Sequence, residues 1–370
     1  MTMVLRRLPL ALLGALAACQ APSAEPAAAR GESPVYVALP LRNLTADPDA
    51  PRRVATALQR VLEARGARFV RAADLDGYLR RKRIRYTDSI QSEDARKLAE
   101  ETGATHVILG TLVAWETAPT PRVDVTLRLF DARTGEKVQS SVLALRGEDF
   151  RGLLALGAIT DMDLLLDEVV VRAADGFDAR GAPLGRVEDP GWAVDRFAGI
   201  QQIYVAPEFD MADVGSVAIL PLENRSGNTD VGVLVADLLA HTLYRDAGVR
   251  VTESAELRGL LLRERVRFLR ELDLATLARM GQSAGVRYLV LGSVERFDER
   301  VYVGVLQVPE VEFSIRFVDV RTLATVAAAS VRRRGDDYTR WLGLGTVHDS
   351  TSLALRALRE IVAGLHGVHA

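Results

Sequence analysis

The chain has 370 residues, of which 48% are hydrophobic and 26% are charged. This composition is typical of globular domains and excludes a fibrous or largely disordered protein. The formal net charge of −2 argues against a dedicated nucleic-acid binder, so we expect no nucleic acid among the partners. A single cysteine excludes an internal disulfide framework and a cysteine-based metal site.

The amino terminus has the pattern of a secretory signal. Arg6 and Arg7 precede the apolar run Leu8 to Ala18, which is too short to cross a bilayer as a stable helix. The run ends in Leu-Ala-Ala-Cys, which resembles the lipobox of bacterial lipoproteins, where cleavage precedes the cysteine and the thiol is acylated. We therefore predict a signal peptide over residues 1–18 and lipidation at Cys19; an ordinary signal cut after Ala18 is the alternative.

Residues 19–33 predict a flexible tether behind the lipid. Gln20 to Ser33 consists largely of alanine, proline, glycine and small polar residues, which cannot bury a core. Such a segment reaches at most about 46 Å when fully extended. Gln20 in place of aspartate after the cysteine, by resemblance to lipoprotein sorting in Gram-negative bacteria, favours the outer membrane. We expect a lipid-anchored protein of the outer membrane that faces the periplasm.

The rest of the chain is a tandem duplication. Five blocks match in the same order, at residues 37–43 and 218–224, 75–86 and 257–268, 103–111 and 285–293, 131–134 and 319–322, and 146–161 and 334–349. The last two pairs are six residues further apart than the pairs around Gly103 and Gly285, so the second copy carries a short insertion. We predict a first domain at 34–177, a linker at 178–213 and a second domain at 214–366.

Each copy predicts the same elements in chain order. A short apolar strand is followed by a polar turn, with Asp49 and Asp230 as expected N-caps of an amphipathic helix. A short strand, two helices, a buried strand and a two-stranded hairpin come next, and a helix closes each copy. The order βαβααβββα predicts an α/β (α+β) fold, with a mixed sheet that is parallel early and antiparallel late and is packed with helices.

These motifs resemble the CsgG-like family of bacterial lipoproteins. The resemblance lies in ALPLRN and AILPLEN, in ETGATHVILGT and SAGVRYLVLGS, and in FDARTGE and VDVRTLA. The family includes the curli-secretion lipoprotein, the lipoprotein activator of penicillin-binding proteins and flagellar-associated lipoproteins, and it shares a fold with the TolB amino-terminal domain. The tandem arrangement departs from the single-domain members, so the resemblance implies the fold and neither partner nor assembly.

Chemistry-bearing residues are few and form no known catalytic motif. His106 is expected to be satisfied within the fold, and His241 lies in a predicted helix without a histidine partner four residues away that could share a metal. No HExxH, GxSxG or phosphate loop occurs. The pairs Gly110-Thr111 and Gly292-Ser293 lack the lysine and further glycines of a phosphate site, so a β-bulge explains them better. We predict no catalytic residue, no cofactor-binding residue and no metal ligand.

Two further sets of polar residues invite a functional hypothesis. Asp149 with Asp161, and their counterparts Asp337 with Asp349, could form acid–base pairs, but their recurrence in both copies favours caps and turns. The basic tracts at 80–85 and 332–334 could bind anionic headgroups or glycans, but a solvated helix face and a strand edge explain them better.

The leading hypothesis is a non-enzymatic, membrane-anchored periplasmic lipoprotein that binds envelope proteins during cell-wall, flagellar or secretion-machinery assembly, with homo-oligomerisation left open. The alternative is a CsgG-like oligomeric secretion channel, which needs two long membrane-crossing hairpins per chain. The best candidate is Val301 to Val318, which Pro309-Glu310 is expected to interrupt, and the first copy has only Glu116 to Arg122 between its corresponding strands. An envelope hydrolase or transferase is a third hypothesis that nothing in the sequence requires.

Overall fold

The structure is a computed structural model. It describes residues 34–84, 87, 90, 92–150, 157–175, 177, 200–264, 266, 273–304, 306–339 and 345–367. The predicted signal peptide, Cys19, the tether and most of the predicted linker lie outside these residues. No helix in the described part of the chain has both the length and the apolar character needed to cross a membrane.

The first repeat forms one mixed sheet, here called sheet one. Its strands are β1 (Val35–Ala38), β2 (Arg42–Asn43), β3 (Arg68–Phe69), β4 (His106–Glu116), β5 (Arg122–Asp131) and β6 (Lys137–Arg146). The strand order is β3-β1-β4-β5-β6, with β2 beside β4. The β1, β2 and β3 pairings are parallel, whereas β4, β5 and β6 form an antiparallel meander. The helices are α1 (Ala50–Ala64), α2 (Ala72–Arg81), α3 (Ser92–Thr102) and α4 (Met162–Asp175).

The second repeat forms sheet two with the same plan and one extra strand. Its strands are β7 (Ile200–Val205), β8 (Ser216–Ile219), β9 (Glu223–Asn224), β10 (Arg250–Thr252), β11 (Tyr288–Val303), β12 (Leu306–Asp319) and β13 (Thr325–Arg334). The order is β10-β8-β11-β12-β13-β7, with β9 beside β11. The helices are α5 (Val231–Asp246), α6 (Ser254–Arg263), α7 (Leu274–Ala284) and α8 (Ser350–Gly367).

The predicted fold class is confirmed, since both repeats contain a mixed sheet that is parallel early and antiparallel late. The addition is β7, which comes from the segment predicted as linker and pairs antiparallel with β13. Along its second half, Gln202 and Tyr204 are exposed while Ile203 and Val205 are half-buried, as in a strand with one face toward solvent. Residues Pro34–Ala370 belong to one compact unit that contains both sheets.

Each sheet is covered by helices on both faces. In sheet one, α1 and α4 pack on one face, and α2 and α3 cover part of the other. In sheet two, α5 and α8 take the place of α1 and α4, while α6 and α7 take the place of α2 and α3. The later strands of both sheets extend beyond the second pair of helices, and this extension positions the site described below.

Gly110 and Gly292 are required by close strand packing and not by a bulge. A Cβ on Gly110 would lie 2.5 Å from the carbonyl oxygen of Thr126, and one on Gly292 would lie 2.1 Å from that of Ser314. The bulges fall beyond them, between Leu112 and Ala114 and at the equivalent position of β11. The prediction of a bulge at the glycines is therefore wrong. Glycine is needed there because the backbone of the neighbouring strand leaves no room for a Cβ atom.

The second repeat's insertion lengthens the β11–β12 hairpin. The prediction that Pro309-Glu310 interrupts this segment is wrong, because β12 runs through both residues from Leu306 to Asp319. Pro309 lies opposite a register shift between Asp298 and Val301 of β11, where the ladder is already irregular and its missing N–H costs little. The matching hairpin of the first repeat ends at Glu116 and Arg122.

Candidate interaction surface

Helix α5 joins the two repeats by packing between their sheets. One side of α5 belongs to the core of sheet two, which Val113 and Val142 of sheet one also contact. On its other side, the buried His241 ring lies 2.9 Å from Ser140 Oγ of β6 through Nδ1. Burial lowers the pKa of His241 to about 3, with nearby cationic side chains as a further cause. His241 is therefore a neutral hydrogen-bonding residue of the interface.

Ion pairs also stabilise the contact between sheet one and the second repeat. Glu253 accepts hydrogen bonds from Arg128 Nη1 at 2.9 Å and from Lys137 Nζ at 3.1 Å. Arg128 also lies 3.7 Å from the Asp237 carboxylate of α5. Burial alone would raise the pKa of Glu253, but the two cations outweigh it and hold the pKa below its usual value. The second repeat thus supplies carboxylates to a cation of sheet one.

The insertion forms a second contact between the repeats. Glu299 of β11 accepts a hydrogen bond from Arg122 Nη2 at 3.0 Å, and Arg122 also donates to Asp124 at 2.5 Å. Ser350 at the start of α8 donates to Glu299 as well. Burial, followed by the neighbouring Asp124 carboxylate, raises the pKa of Asp349 to about 7. The insertion therefore contributes to a buried charge cluster that ties the repeats together.

The strip of sheet one under α5 consists of two rows of side chains, here called the covered face. Register places one row across β4, β5 and β6 and the next row two residues along: Leu109, Arg128 and Ser140, then Thr111, Thr126 and Val142. Residues opposite each other in a sheet point to the same side. Thr111, Thr126 and Ser140 are at most 5% exposed, because the second repeat covers them.

Sheet two carries the same two rows, here called the open face. Leu291 at one end belongs to the core under α6 and α7, and no described helix takes the place over the other residues that α5 takes on the covered face. The rows are Leu291, Arg316, Ala328 and Tyr204, then Ser293, Ser314, Ser330 and Gln202. Together with Pro221, Glu223, Arg225 and Leu277 they line a groove of about 720 Å³. Arg316 is exposed and forms no ion pair with a described residue, whereas Arg128 at the equivalent position is paired.

The open face is more polar than the covered face. Ser330 stands where the covered face has Val142, and Glu295 stands where the first repeat has Val113. Glu295 and Glu223 pair with Arg225 at 3.2 and 3.1 Å at one end of the groove. Tyr204 adds an aromatic ring that is 54% exposed beside the rows. Polar rows with one exposed aromatic ring are typical of an interface that also exists without its partner.

The candidate chemical residues from the sequence mostly serve the fold. Asp161 Oδ1 accepts from the backbone N–H of Asp163 at the start of α4, and Asp349 Oδ1 accepts from that of Ser352 in α8. Asp149 and Asp337 accept from the backbone N–H of the residue three positions earlier, Arg146 and Arg334. The prediction that these aspartates act as caps and turns is confirmed.

The predicted N-caps behave differently. Asp49 and Asp230 occupy the N-cap positions of α1 and α5, but neither side chain caps its helix. Asp49 pairs with Arg52, and Asp230 pairs with Arg42 of the first repeat at 2.6 Å. The side-chain cap prediction is therefore wrong, because nearby guanidinium groups compete for both carboxylates.

The basic tracts divide into exposed and buried members. Arg81 and Lys82 pair with Glu101 on α3 and remain largely exposed, as predicted for a solvated helix face. Arg333 was expected on a solvated strand edge, but it is 1% exposed and pairs with Glu360 of α8 at 2.8 Å. The alternation along β13 turns Arg333 toward α8, whereas Arg332 stays half-exposed and pairs with Glu310.

The other described histidines lie apart from one another and form no cluster. His106 Nδ1 lies 2.8 Å from Thr105 Oγ1, and its ring packs against Tyr36. His348 and His366 are exposed on separate elements, and His369 lies outside the described residues. Among the described residues, no three histidine, cysteine, aspartate or glutamate side chains are grouped to hold a metal ion.

Sequence reasoning missed the interface because its partners are more than 100 residues apart. One local signal pointed to it: α5 is apolar nearly all round, whereas the equivalent α1 exposes Arg52, Thr56, Arg60 and Glu63. A helix that is apolar on every side is buried on every side. The composition of α5 therefore predicts a second covering layer, without saying which one.

Comparisons with solved structures find bacterial proteins that are similar to part of this chain. The PelC dodecamer from Paraburkholderia phytofirmans is 21% identical over 45% of this chain and 97% of its own, with a TM-score of 0.31. Lipoprotein GNA1162 from Neisseria meningitidis is 19% identical over 39% and 99%, with a TM-score of 0.30. The LpoB C-terminal domain from Escherichia coli is 20% identical over 30% and 82%, with a TM-score of 0.25.

No protein-family model matches the chain, and no curated protein matches it. Identities near 20% and TM-scores near 0.3 do not assign this chain to a family. The CsgG-like and TolB-like resemblance therefore stays a prediction from the sequence motifs.

Proposed function

We propose that this protein is a lipid-anchored component of the bacterial cell envelope that binds other envelope proteins and catalyses no reaction. The observation that carries the proposal is the open face of sheet two. The same strip of sheet one is covered by a helix, while Arg316, Tyr204 and the serine rows remain uncovered in the described part of the chain. A surface built on the plan of an existing interface is suited to binding a protein.

The sequence supplies the location in this proposal. Lipidation at Cys19 holds the chain at the membrane, and the following small-residue segment lets the repeats reach away from it. Gln20 after the cysteine favours the outer membrane, with both repeats in the periplasm. The partners are then proteins that act in cell-wall synthesis, flagellar assembly or secretion.

Photo-crosslinking in intact cells tests this proposal. Benzoylphenylalanine placed at Ser330 on the open face is expected to give adducts with an envelope protein. The same group at Arg321, in the exposed turn after β12, is the matched control and is expected to give none. The adducts should be lost in a Cys19→Ala variant that is exported without its lipid. Absence of adducts from Ser330 and from Tyr204 in the lipidated protein would overturn the proposal.

A secretion channel is the second candidate, and the long β11–β12 hairpin favours it. The tip exposes Tyr302 and Leu306, as a membrane-contacting hairpin would. Two observations weigh against it: Glu299 of this hairpin is paired with Arg122 of the first repeat, and the first repeat's hairpin is short. Light scattering on the detergent-extracted protein separates the two functions, because a channel requires a ring of many subunits and an anchored binding protein requires a monomer or small oligomer.

A further inference from the structure

The two repeats offer an internal template for what the open face binds. The rows of the open face match those of the covered face in register, and four of the six equivalent positions carry similar residues: leucine, arginine, and serine or threonine twice. On the covered face, the occupant is helix α5, which lies against β6 and presents Asp237 and His241 to sheet one. Two sheets with the same register and similar side chains present similar shapes.

Side-chain size makes the open face suitable for a helix. Ser293, Ser314, Ala328 and Ser330 are small, so they form the floor of the groove, and Tyr204 lies beside it on the edge strand. On the covered face, Ala240 packs on the same side of α5 as Asp237 and Tyr244, because the spacings of three and four residues share a helix face. Small residues on both surfaces allow the helix to approach closely.

Charge identifies the chemistry of the occupant. Arg128 on the covered face is held by Glu253 at 2.9 Å and by Asp237 at 3.7 Å, both from the second repeat. Arg316 occupies the equivalent place on the open face, is exposed and has no ion pair with a described residue. An occupant that covers Arg316 without a carboxylate would bury an unpaired guanidinium, which is strongly unfavourable.

A second copy of this chain does not provide that carboxylate. The first repeat's equivalent of α5 is α1, in which Thr56 stands at the position of Asp237. Docked as α5 docks, it would place Arg71 at the position of Glu253, against Arg316, and Asp49 at the position of Asp230, against Glu223. Both are like-charge contacts. These like charges oppose docking of the first repeat of one chain on the open face of another. Such head-to-tail docking would otherwise continue from chain to chain into an open-ended assembly.

We infer that the open face of sheet two binds an amphipathic helix of a partner protein, with small residues against β12 and β13 and a carboxylate paired with Arg316. This inference rests on the proposed function and adds the chemistry of the partner to it. The polar Ser330 and Glu295, where the first repeat has valines, fit an occupant that binds and leaves, whereas α5 is permanently attached.

The test uses the full-length protein in detergent and a labelled peptide with the sequence of α5, residues 231–246, as the probe. Fluorescence anisotropy is expected to show binding that weakens at least about tenfold in Arg316→Glu, because the pair with Asp237 becomes a repulsion. The matched control is Arg321→Glu, an exposed arginine off the open face, which should bind as wild type does. A peptide carrying Asp237→Arg should prefer Arg316→Glu, and a peptide with the sequence of α1, residues 50–64, should bind at least about tenfold more weakly.

Several results would overturn the inference. They are failure of the α5 peptide to bind, binding that is indifferent to Arg316→Glu while circular dichroism shows an intact fold, and equal binding of the α1 peptide. Self-association that Arg316→Glu abolishes would assign the face to a second copy. If any of these occurs while Ser330 still gives envelope adducts in cells, the proposed function survives and the helix-and-carboxylate chemistry is rejected.

Discussion

Asp161 and Asp349 occupy the same position in the two repeats and accept equivalent backbone hydrogen bonds at the start of α4 and α8. Their surroundings differ. Asp161 is exposed, whereas Asp349 lies buried beside Asp124 and 3.9 Å from Arg122. The same local motif is thus an exposed helix cap in the first repeat and a buried carboxyl with a raised pKa in the second, because only the second faces the interface between the repeats.

The raised pKa of Asp349 has a consequence for stability. Its pKa is about 7 in the folded protein and near 4 in the unfolded chain, so between these values the folded state holds an extra proton. The free energy of unfolding contributed by this group therefore falls as pH rises from about 4 to about 7, by at most on the order of 4 kcal/mol.

An Asp349→Asn variant tests this. Asparagine keeps the acceptor that caps Ser352 but carries no charge, so the variant should lack this fall and be more stable than wild type at pH 8. Urea denaturation of both proteins at pH 5 and pH 8 measures the difference. Equal pH dependence in the two proteins would show that Asp349 titrates normally. Other titrating groups are common to both proteins and cancel in the comparison. Glu299 is one of them: burial alone would raise its pKa, but Arg122 holds the pKa below its usual value.

At the scale of elements, α5 shows what the duplication changed. In α1 the side that faces away from sheet one carries the exposed Thr56 and Arg60, while in α5 the same side carries Asp237 and the buried His241, which contact sheet one. The helix kept its apolar inner side and gained an outer side that packs on sheet one. A repeat whose helix is apolar on both sides is stable only in contact with its neighbour.

A buried ion pair joins β13 to α8: Arg333 and Glu360, whose side chains are 1% and 3% exposed. Tyr338 also donates to Glu360 at 2.6 Å, so the carboxylate is fully engaged. Arg333→Met is expected to lower the free energy of unfolding by about 3–5 kcal/mol, because it leaves Glu360 buried without its cation.

The double variant Arg333→Met, Glu360→Leu should recover much of this loss, since no charge is then stranded. Arg321→Met, which changes an exposed arginine, should stay within about 0.5 kcal/mol of wild type. Chemical denaturation of the four proteins measures these differences. A double variant as unstable as the single one would indicate that Arg333 contributes mainly through packing.

For the whole molecule, the buried contacts between repeats predict a single cooperative unfolding transition. Separating the repeats would expose α5, remove Glu299 from Arg122, and leave Glu253 without Arg128 and Lys137. Circular dichroism during urea unfolding is expected to show one transition. Limited proteolysis at the same urea concentrations is expected to give only the intact chain and small peptides. A resistant fragment that contains one repeat would show that the repeats unfold separately.

A Glu253→Gln variant refines this test. Glutamine fills the same space but leaves Arg128 and Lys137 without their shared anion, so the unfolding midpoint should fall. The transition should remain single, because the Arg122 cluster and α5 packing still hold the repeats together. Two separated transitions in this variant would place the coupling in Glu253 alone.

Much of the architecture could be predicted from the sequence. The repeated blocks and their hydrophobic periods indicated two βαβααβββα units, and Gly103 and Gly285 indicated helix ends that the structure has at Thr102 and Ala284. These features depend on neighbours a few residues away, so local pattern suffices. Lipidation at Cys19 stays a prediction, since it lies outside the described residues.

The tertiary structure alone decided which surface is free. Arg128 and Ser140 resemble Arg316 and Ala328 in sequence context, yet Arg128 is half-buried and Ser140 is buried under α5, whereas Arg316 is exposed and Ala328 is half-buried. The difference arises from α5, which is distant in the chain and covers this strip of sheet one with the side that does not pack in the core of sheet two. Local sequence specifies a strand and the side it faces, but what packs on that side depends on long-range contacts that the repeated pattern does not encode.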